Sequence, residues 1–169
     1  MNSLPTPNDV PGRLDPRVLS PVPESYLPDV LDLFSQTWWT RARSAEGVAA
    51  ILRSSQPTLG FLDTDGRLSG FVRVVTDFTF KAIIVDLIVD QPRRGAGIGR
   101  LLIDAVLHHP SLDRVEDFEL YCEEKLVPYY ESQGFVEPVP TRFMRLTRSN
   151  SAGDTMPLRN EQRRRDPNA

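Results

Sequence analysis

From residue 85 to residue 100 the chain reads Val-Asp-Leu-Ile-Val-Asp-Gln-Pro-Arg-Arg-Gly-Ala-Gly-Ile-Gly-Arg. An apolar strand pattern runs into a loop with glycines at 95, 97 and 99, and the loop runs into a helical pattern. Small residues let backbone amides crowd around one point. A helix start adds unsatisfied N–H groups and a partial positive charge. Together they make an anion cradle suited to phosphate, with Arg93, Arg94 and Arg100 adding charge nearby. A P-loop would need Lys-Ser/Thr after its last glycine, and none follows here. A dinucleotide fingerprint would need G-x-G-x-x-G after the first strand of a βαβ unit. Gly95-Ala96-Gly97-Ile98-Gly99 has the wrong spacing and follows a hairpin pattern.

Arg94-x-x-Gly97-x-Gly99 matches a Q/R-x-x-G-x-G/A signature, and Tyr129-Tyr130-Glu131-Ser132-Gln133-Gly134-Phe135 matches an (F/Y)-Y-x-x-x-G-F ending. In both motifs the chain resembles the GNAT superfamily of acetyl-CoA-dependent N-acetyltransferases, over about residues 17–148 and most securely 82–136. The resemblance implies a mixed, mostly antiparallel central sheet flanked by helices. It implies acetyl-CoA as acyl donor and no metal. The pyrophosphate would sit on the loop amides of Arg94, Gly95, Ala96, Gly97, Ile98 and Gly99. The backbone of Leu87, Ile88 and Val89, on a strand splayed from its neighbour, would pair with the pantetheine. An amide near Ile88 would help stabilise the oxyanion. Tyr130 holds the motif position of a general acid that protonates the departing thiolate, and Tyr129 reads as the core residue of the pair. The acceptor would be a small-molecule or peptide amine, partly enclosed by the first two helices. Relatives often carry an Asn after the next strand; here Glu123-Glu124-Lys125 stand in its place. A non-catalytic acyl-CoA sensor, and a transferase of a longer acyl group, are the competing functions.

Asp86 interrupts an apolar strand, where a carboxylate is costly unless paired or facing a cavity. By the period of two, residues 84, 86 and 88 share a face. Asp86 therefore reads as an acceptor-side group that binds the ammonium or takes its proton, or else as a partner of Arg73. Asp77 is a second acceptor-side candidate. Trp38 and Trp39 cannot both face the core, and one is a candidate for the acceptor pocket. Cys122 reads as a buried structural thiol, and His108-His109 as a helix end.

The elements that would position these groups follow from periodicity. A weak first strand lies at 17–22. Leu27, Val30, Leu31 and Phe34 form a helical stripe, and Ser44 caps a second helix through Leu52. Residues 58–62 and 67–76 form a hairpin around Asp63-Thr64-Asp65-Gly66. Residues 82–89 read as a central strand, 98–106 as a helix, and 118–122 as a strand. Pro128 opens a short helix that Gly134 ends. Phe135-Val136 and Phe143–Leu146 read as a closing strand pair. The order is β-α-α-β-β-β-α-β-α-β-β, an α/β (α+β) fold.

The chain has 169 residues, 40% hydrophobic and 25% charged, with net charge −3. That suits one core and argues against a nucleic-acid or anionic-membrane binder. No apolar run reaches a membrane span, and the first residues lack a secretory-signal pattern, so a cytoplasmic setting is expected. One cysteine and two adjacent histidines give little material for a metal site. Seven of the 15 prolines fall in the first 28 residues. Residues 1–16 read as a Pro-rich flexible leader, 17–148 as the domain and 149–169 as a disordered polar tail. A homodimer is left open.

Overall fold

The computed structural model describes residues 15–137. The chain divides into two compact units, Met1–Gly134 and Phe135–Ala169, and of the second only residues 135–137 are described. The elements are β1 (Val18–Leu19), α1 (Leu27–Ser35), α2 (Ala45–Arg53), β2 (Thr58–Leu62), β3 (Leu68–Thr76), β4 (Lys81–Val89), α3 (Ile98–Leu107), β5 (Asp117–Leu120) and α4 (Val127–Glu131). Local chemistry accounts for several boundaries. Pro28 fits the first turn of α1, where its missing amide costs nothing. Ser44 caps α2 by accepting from the Gly47 amide at 3.1 Å. Gly97 begins α3 at φ +82°, which a Cβ would strain.

The five strands lie in the order β1-β2-β3-β4-β5. Every neighbouring pair is antiparallel except β4 and β5, which run parallel. The sheet separates two apolar layers. On one face Phe71 and Ile88 join Val30, Leu33 and Phe34 of α1 with Val48 and Leu52 of α2. Phe34 and Phe71 meet edge to face, with ring centroids 5.6 Å apart. Each contributes about 1.5–3 kcal/mol by burial alone. On the other face α3 lies directly on β3. A Cβ at Gly70 would stand 2.8 Å from Ile98 Cγ2 and 3.0 Å from Leu102 Cδ1. Alternation puts Val72 and Val74 beside Gly70 on that face, both fully buried.

The expected order of elements holds through the second short helix. Two details differ. The first strand is confined to Val18–Leu19. Phe135 and Val136 do not form the expected strand, and its expected partner, Phe143–Leu146, lies outside the described residues. So do the tail at 149–169 and all of the leader but its last two residues.

The contact at Gly70 seats α3, and with it the loop that precedes the helix. Gly70→Val should lower stability by roughly 1–3 kcal/mol, the usual range for overpacking. Urea unfolding of the variant against the native chain reads this directly.

Candidate functional site

Strand β4 carries an irregularity that organises everything near it. Phe71 pairs with Ile88, and Arg73 pairs with Val85. One residue of β3, Val72, therefore faces two of β4, Asp86 and Leu87. This is a β-bulge, which leaves a residue unpaired, bends the strand and re-aims side chains. Asp86 sits at φ +55°, in the left-handed region that Asp tolerates better than most residues. The bulge also changes the faces. Ile84 pairs with Val74 on the α3 side, whereas Ile88 pairs with Phe71 on the α1–α2 side. Asp86 and Ile88 thus share a face as expected, and Ile84 does not share it.

The Asp86 side chain is 4% exposed and is held by two arginines. Arg43, in the segment between α1 and α2, donates from Nη1 to Oδ2 at 2.5 Å and from Nη2 to Oδ1 at 2.8 Å. Its guanidinium also lies 5.1 Å from the Phe34 ring centroid. Arg73 donates from Nε to Oδ2 at 2.5 Å. Burial pushes the Asp86 carboxyl up, and the guanidiniums of Arg43 and Arg73 outweigh it and hold the group below the ordinary aspartate range. A carboxylate held this way is a weak proton acceptor near neutral pH. Arg73 was legible as its partner; Arg43 was not.

Just before the bulge β4 loses its β5 neighbour. Pairing with β5 runs from Lys81↔Asp117 to Ile84↔Leu120 and stops there, while β4 continues to Val89. Leu87, Ile88 and Val89 lie on this stretch, whose edge away from β3 has no strand partner because β5 ends at Leu120. The loop then turns through Gln91–Arg93 and reaches Gly97. Gly95 and Gly97 both have φ +82°. The first amides of α3 have no partner within the helix and point toward the loop. The three arginines do different things. Arg93 pairs with Asp63 of the β2–β3 turn at 3.3 Å. Arg94 Nε donates to the Val89 carbonyl at 3.1 Å. Burial pushes the Tyr129 phenol up, and Arg100, in the first turn of α3, lies near enough to offset part of that rise.

Tyr129 and Tyr130 stack edge to face, centroids 5.0 Å apart, and both are half-buried. Neither is a core residue. Tyr129 approaches α3 most closely: a Cβ on Gly99 would stand 3.0 Å from its hydroxyl. The Tyr130 phenol is pushed up to about 12 by burial, with Tyr129 and Cys122 adding to the effect. It therefore keeps its proton across the neutral range. Cys122 is an exposed thiol rather than a buried one, because β5 ends two residues before it.

The remaining candidates line the rim or build turns. Trp38 and Trp39 are both exposed, 5.7 Å apart edge to face, in the segment after α1. Trp38 Nε1 donates to Glu123 Oε1 at 3.4 Å. Asp77 is part of the β3–β4 turn. Its Oδ1 accepts from the amides of Thr79, Phe80 and Lys81, bonds that lower its pKa. Gln36, which the sequence did not single out, links the two halves of the site. Its Nε2 donates to Asp90 Oδ1 at 2.9 Å, and its Oε1 accepts from the Gln91 amide at 3.0 Å. His109 Nε2 and Ser20 Oγ lie 2.8 Å apart, which ties the end of α3 to the segment after β1. Among the described residues no cluster of His, Cys, Asp and Glu could hold a metal ion. No helix among them is long and apolar enough to cross a membrane.

Residues 23–146 match the model of an acetyltransferase (GNAT) domain family. The chain is 24% identical over 102 residues to an uncharacterized N-acetyltransferase, ycf52, of Pyropia yezoensis, covering 59% of this chain and 58% of that one. It is 31% identical over 85 residues to the chloroplastic serotonin N-acetyltransferase 2 of Oryza sativa subsp. japonica, covering 50% of this chain and 42% of that one. The chain thus spans about half the length of these curated relatives. Among solved structures, a GNAT-family acetyltransferase from Streptococcus pneumoniae superposes with a TM-score of 0.62 at 26% identity, covering 78% of this chain and 98% of that one.

Asp86→Asn keeps the shape and tolerates the positive φ, but it leaves two guanidiniums without their anion. Stability at pH 7 should fall by about 1–3 kcal/mol. The folded-state carboxyl lies below its unfolded value of about 3.9. Its stabilisation is therefore full above that value and fades as pH falls through the folded one. Urea midpoints of the two proteins should differ at pH 7 and draw together as pH falls below the ordinary aspartate range.

Proposed function

Because the chain belongs to the GNAT acetyltransferase family, we propose that it transfers an acetyl group from acetyl-CoA to a primary amine. The observation that carries this reading is the conjunction on β4. A bulge at Asp86-Leu87 and a strand edge without a β5 partner beyond Ile84 lead straight into the glycine loop and the start of α3. A free strand edge offers backbone groups to an extended, amide-bearing chain such as pantetheine. The loop and helix start offer amides to its pyrophosphate. Leu87, Ile88 and Val89 take the first role. Arg94, Gly95, Ala96, Gly97, Ile98 and Gly99 take the second.

The neutral amine nitrogen attacks the thioester carbonyl carbon. A C–N bond forms, and the carbonyl electron pair moves onto oxygen. A backbone amide freed from the β3 ladder near Ile88 is suited to receive that charge. On collapse the C–S bond breaks and the electron pair leaves with sulfur. Tyr130 supplies the proton to the thiolate, or holds it by a hydrogen bond, and regains one from solvent. The amine nitrogen loses its own extra proton to water. Asp86 acts by fixing the bulge rather than as the base, since two guanidiniums already occupy it.

The test is thiol release from acetyl-CoA across a panel of primary amines. Amine-dependent release supports the reading. Binding of CoA without release from any amine overturns it in favour of a sensor.

Two variants probe the two halves. Gly97→Glu places a carboxylate at the loop, at a position where φ +82° also costs about 1–2 kcal/mol. Titration calorimetry should show CoA affinity lost while the variant remains folded. Tyr130→Phe keeps the ring. Steady-state kinetics should show kcat reduced roughly 10–10³-fold with the acetyl-CoA KM little changed.

A further inference from the structure

We propose that the amine acceptor carries a carboxylate, and that Arg73 binds it. This rests on the acetyl-transfer reading above. The Arg43–Asp86–Arg73 cluster has two positive charges and one negative, so a unit of positive charge is left in a sheltered place. The two arginines spend their donors differently. Arg43 puts both terminal nitrogens on Asp86 and lies over Phe34, so it is locked. Arg73 donates to Asp86 through Nε, and among the described residues it donates nowhere else. Its two terminal nitrogens form a planar fork, the geometry that matches a carboxylate with two parallel hydrogen bonds. The Arg73 side chain is 22% exposed, which is open enough for a ligand and dry enough for the charge to count.

Position supports the same partner. Arg73 stands opposite Val85, the first residue of β4 beyond the stretch paired with β5. β4 lies between Arg73 and β5, and the Arg73 guanidinium reaches Asp86 of β4, where pairing with β5 has already ended. Arg73 lies on the α1–α2 face, with Phe71 and Ile88 and opposite α3. From Asp86 to Ile88 is roughly 6–7 Å along the strand. A small molecule whose amine reaches the thioester near Ile88 can thus rest an anionic group on Arg73. Counted with the hydrogen bond to Arg73 and the amine's approach to the carbonyl carbon, an amino acid bridges that distance, and Asp86 aligns Arg73 to receive it.

The experiment compares three amino acids with their carboxamides as acceptors, in the native chain and in Arg73→Gln and Arg73→Lys. The native enzyme should use each acid roughly 10–100-fold better than its amide, by kcat/KM, the range for a charge-assisted contact. In Arg73→Gln the preference should collapse toward one, through a raised acceptor KM, with CoA affinity held because Arg43 still grips both oxygens of Asp86. Arg73→Lys should keep part of it, because the charge survives without the fork. Melting temperature and CoA affinity of each variant establish that it is folded. If one variant is unfolded, the other with the native comparison still decides. Equal use of acids and amides by the native enzyme overturns this inference alone. So does an acid preference that survives Arg73→Gln. No thiol release from any acceptor overturns the acetyl-transfer reading, and this inference with it.

Discussion

A single extra residue in β4 sets the geometry of the rest. Inserting Asp86-Leu87 opposite Val72 costs a ladder position and forces a non-glycine residue to positive φ. Such a conformation persists only when its surroundings over-determine it. Here they do so electrostatically. Arg43 reaches from the far side of α1 and Arg73 from the adjacent strand, and both close on one carboxylate. The cluster links the α1–α2 segment, β3 and β4 at the point where β4 parts from β5. Without that link, the strand has no reason to change faces between Ile84 and Ile88.

The two apolar layers then divide the work. The layer under α3 carries the glycine loop, since Gly70 lets the helix lie against β3 and the helix start fixes where the loop amides point. The layer under α1 and α2 carries the arginine cluster and ends at the exposed pair Trp38 and Trp39. Tyr129 closes the α3 side from α4, its hydroxyl over Gly99, and leaves Tyr130 facing the neighbourhood of Cys122.

What the sequence made legible was local. Glycine spacing, the Ser44 cap, Pro128 in its first turn, and the stripes of α1 to α3 each act within a few residues. The bulge was not legible. Residues 82–89 read as one regular, nearly all-apolar central strand, and an aspartate in the left-handed region has the same letter as one in a regular strand. Period-two reasoning fails past such a point, which is why Ile84 ends on the other face. Arg43 was missed because its partner is 43 positions away and nothing in its own surroundings marks it. The exposure of Cys122 follows from where parallel pairing stops, a property of the β4–β5 register and not of the residues 118–122. Gln36 escaped notice for the same reason: its contacts join segments 54 and 55 residues apart.

The sheet is one strand thick, and its two faces share almost no side chains. Lineages descended from this chain can therefore rewrite the α1–α2 wall, including Trp38 and Trp39, while the layer beneath α3 stays under its own separate selection. Gln36 is the exception to that freedom. Its amide grips Asp90 and Gln91 at the head of the glycine loop from the far end of α1. Drift in the one wall is thus tolerated only so far as it leaves that clasp in place, and position 36 should diverge more slowly than the exposed indoles two and three residues beyond it.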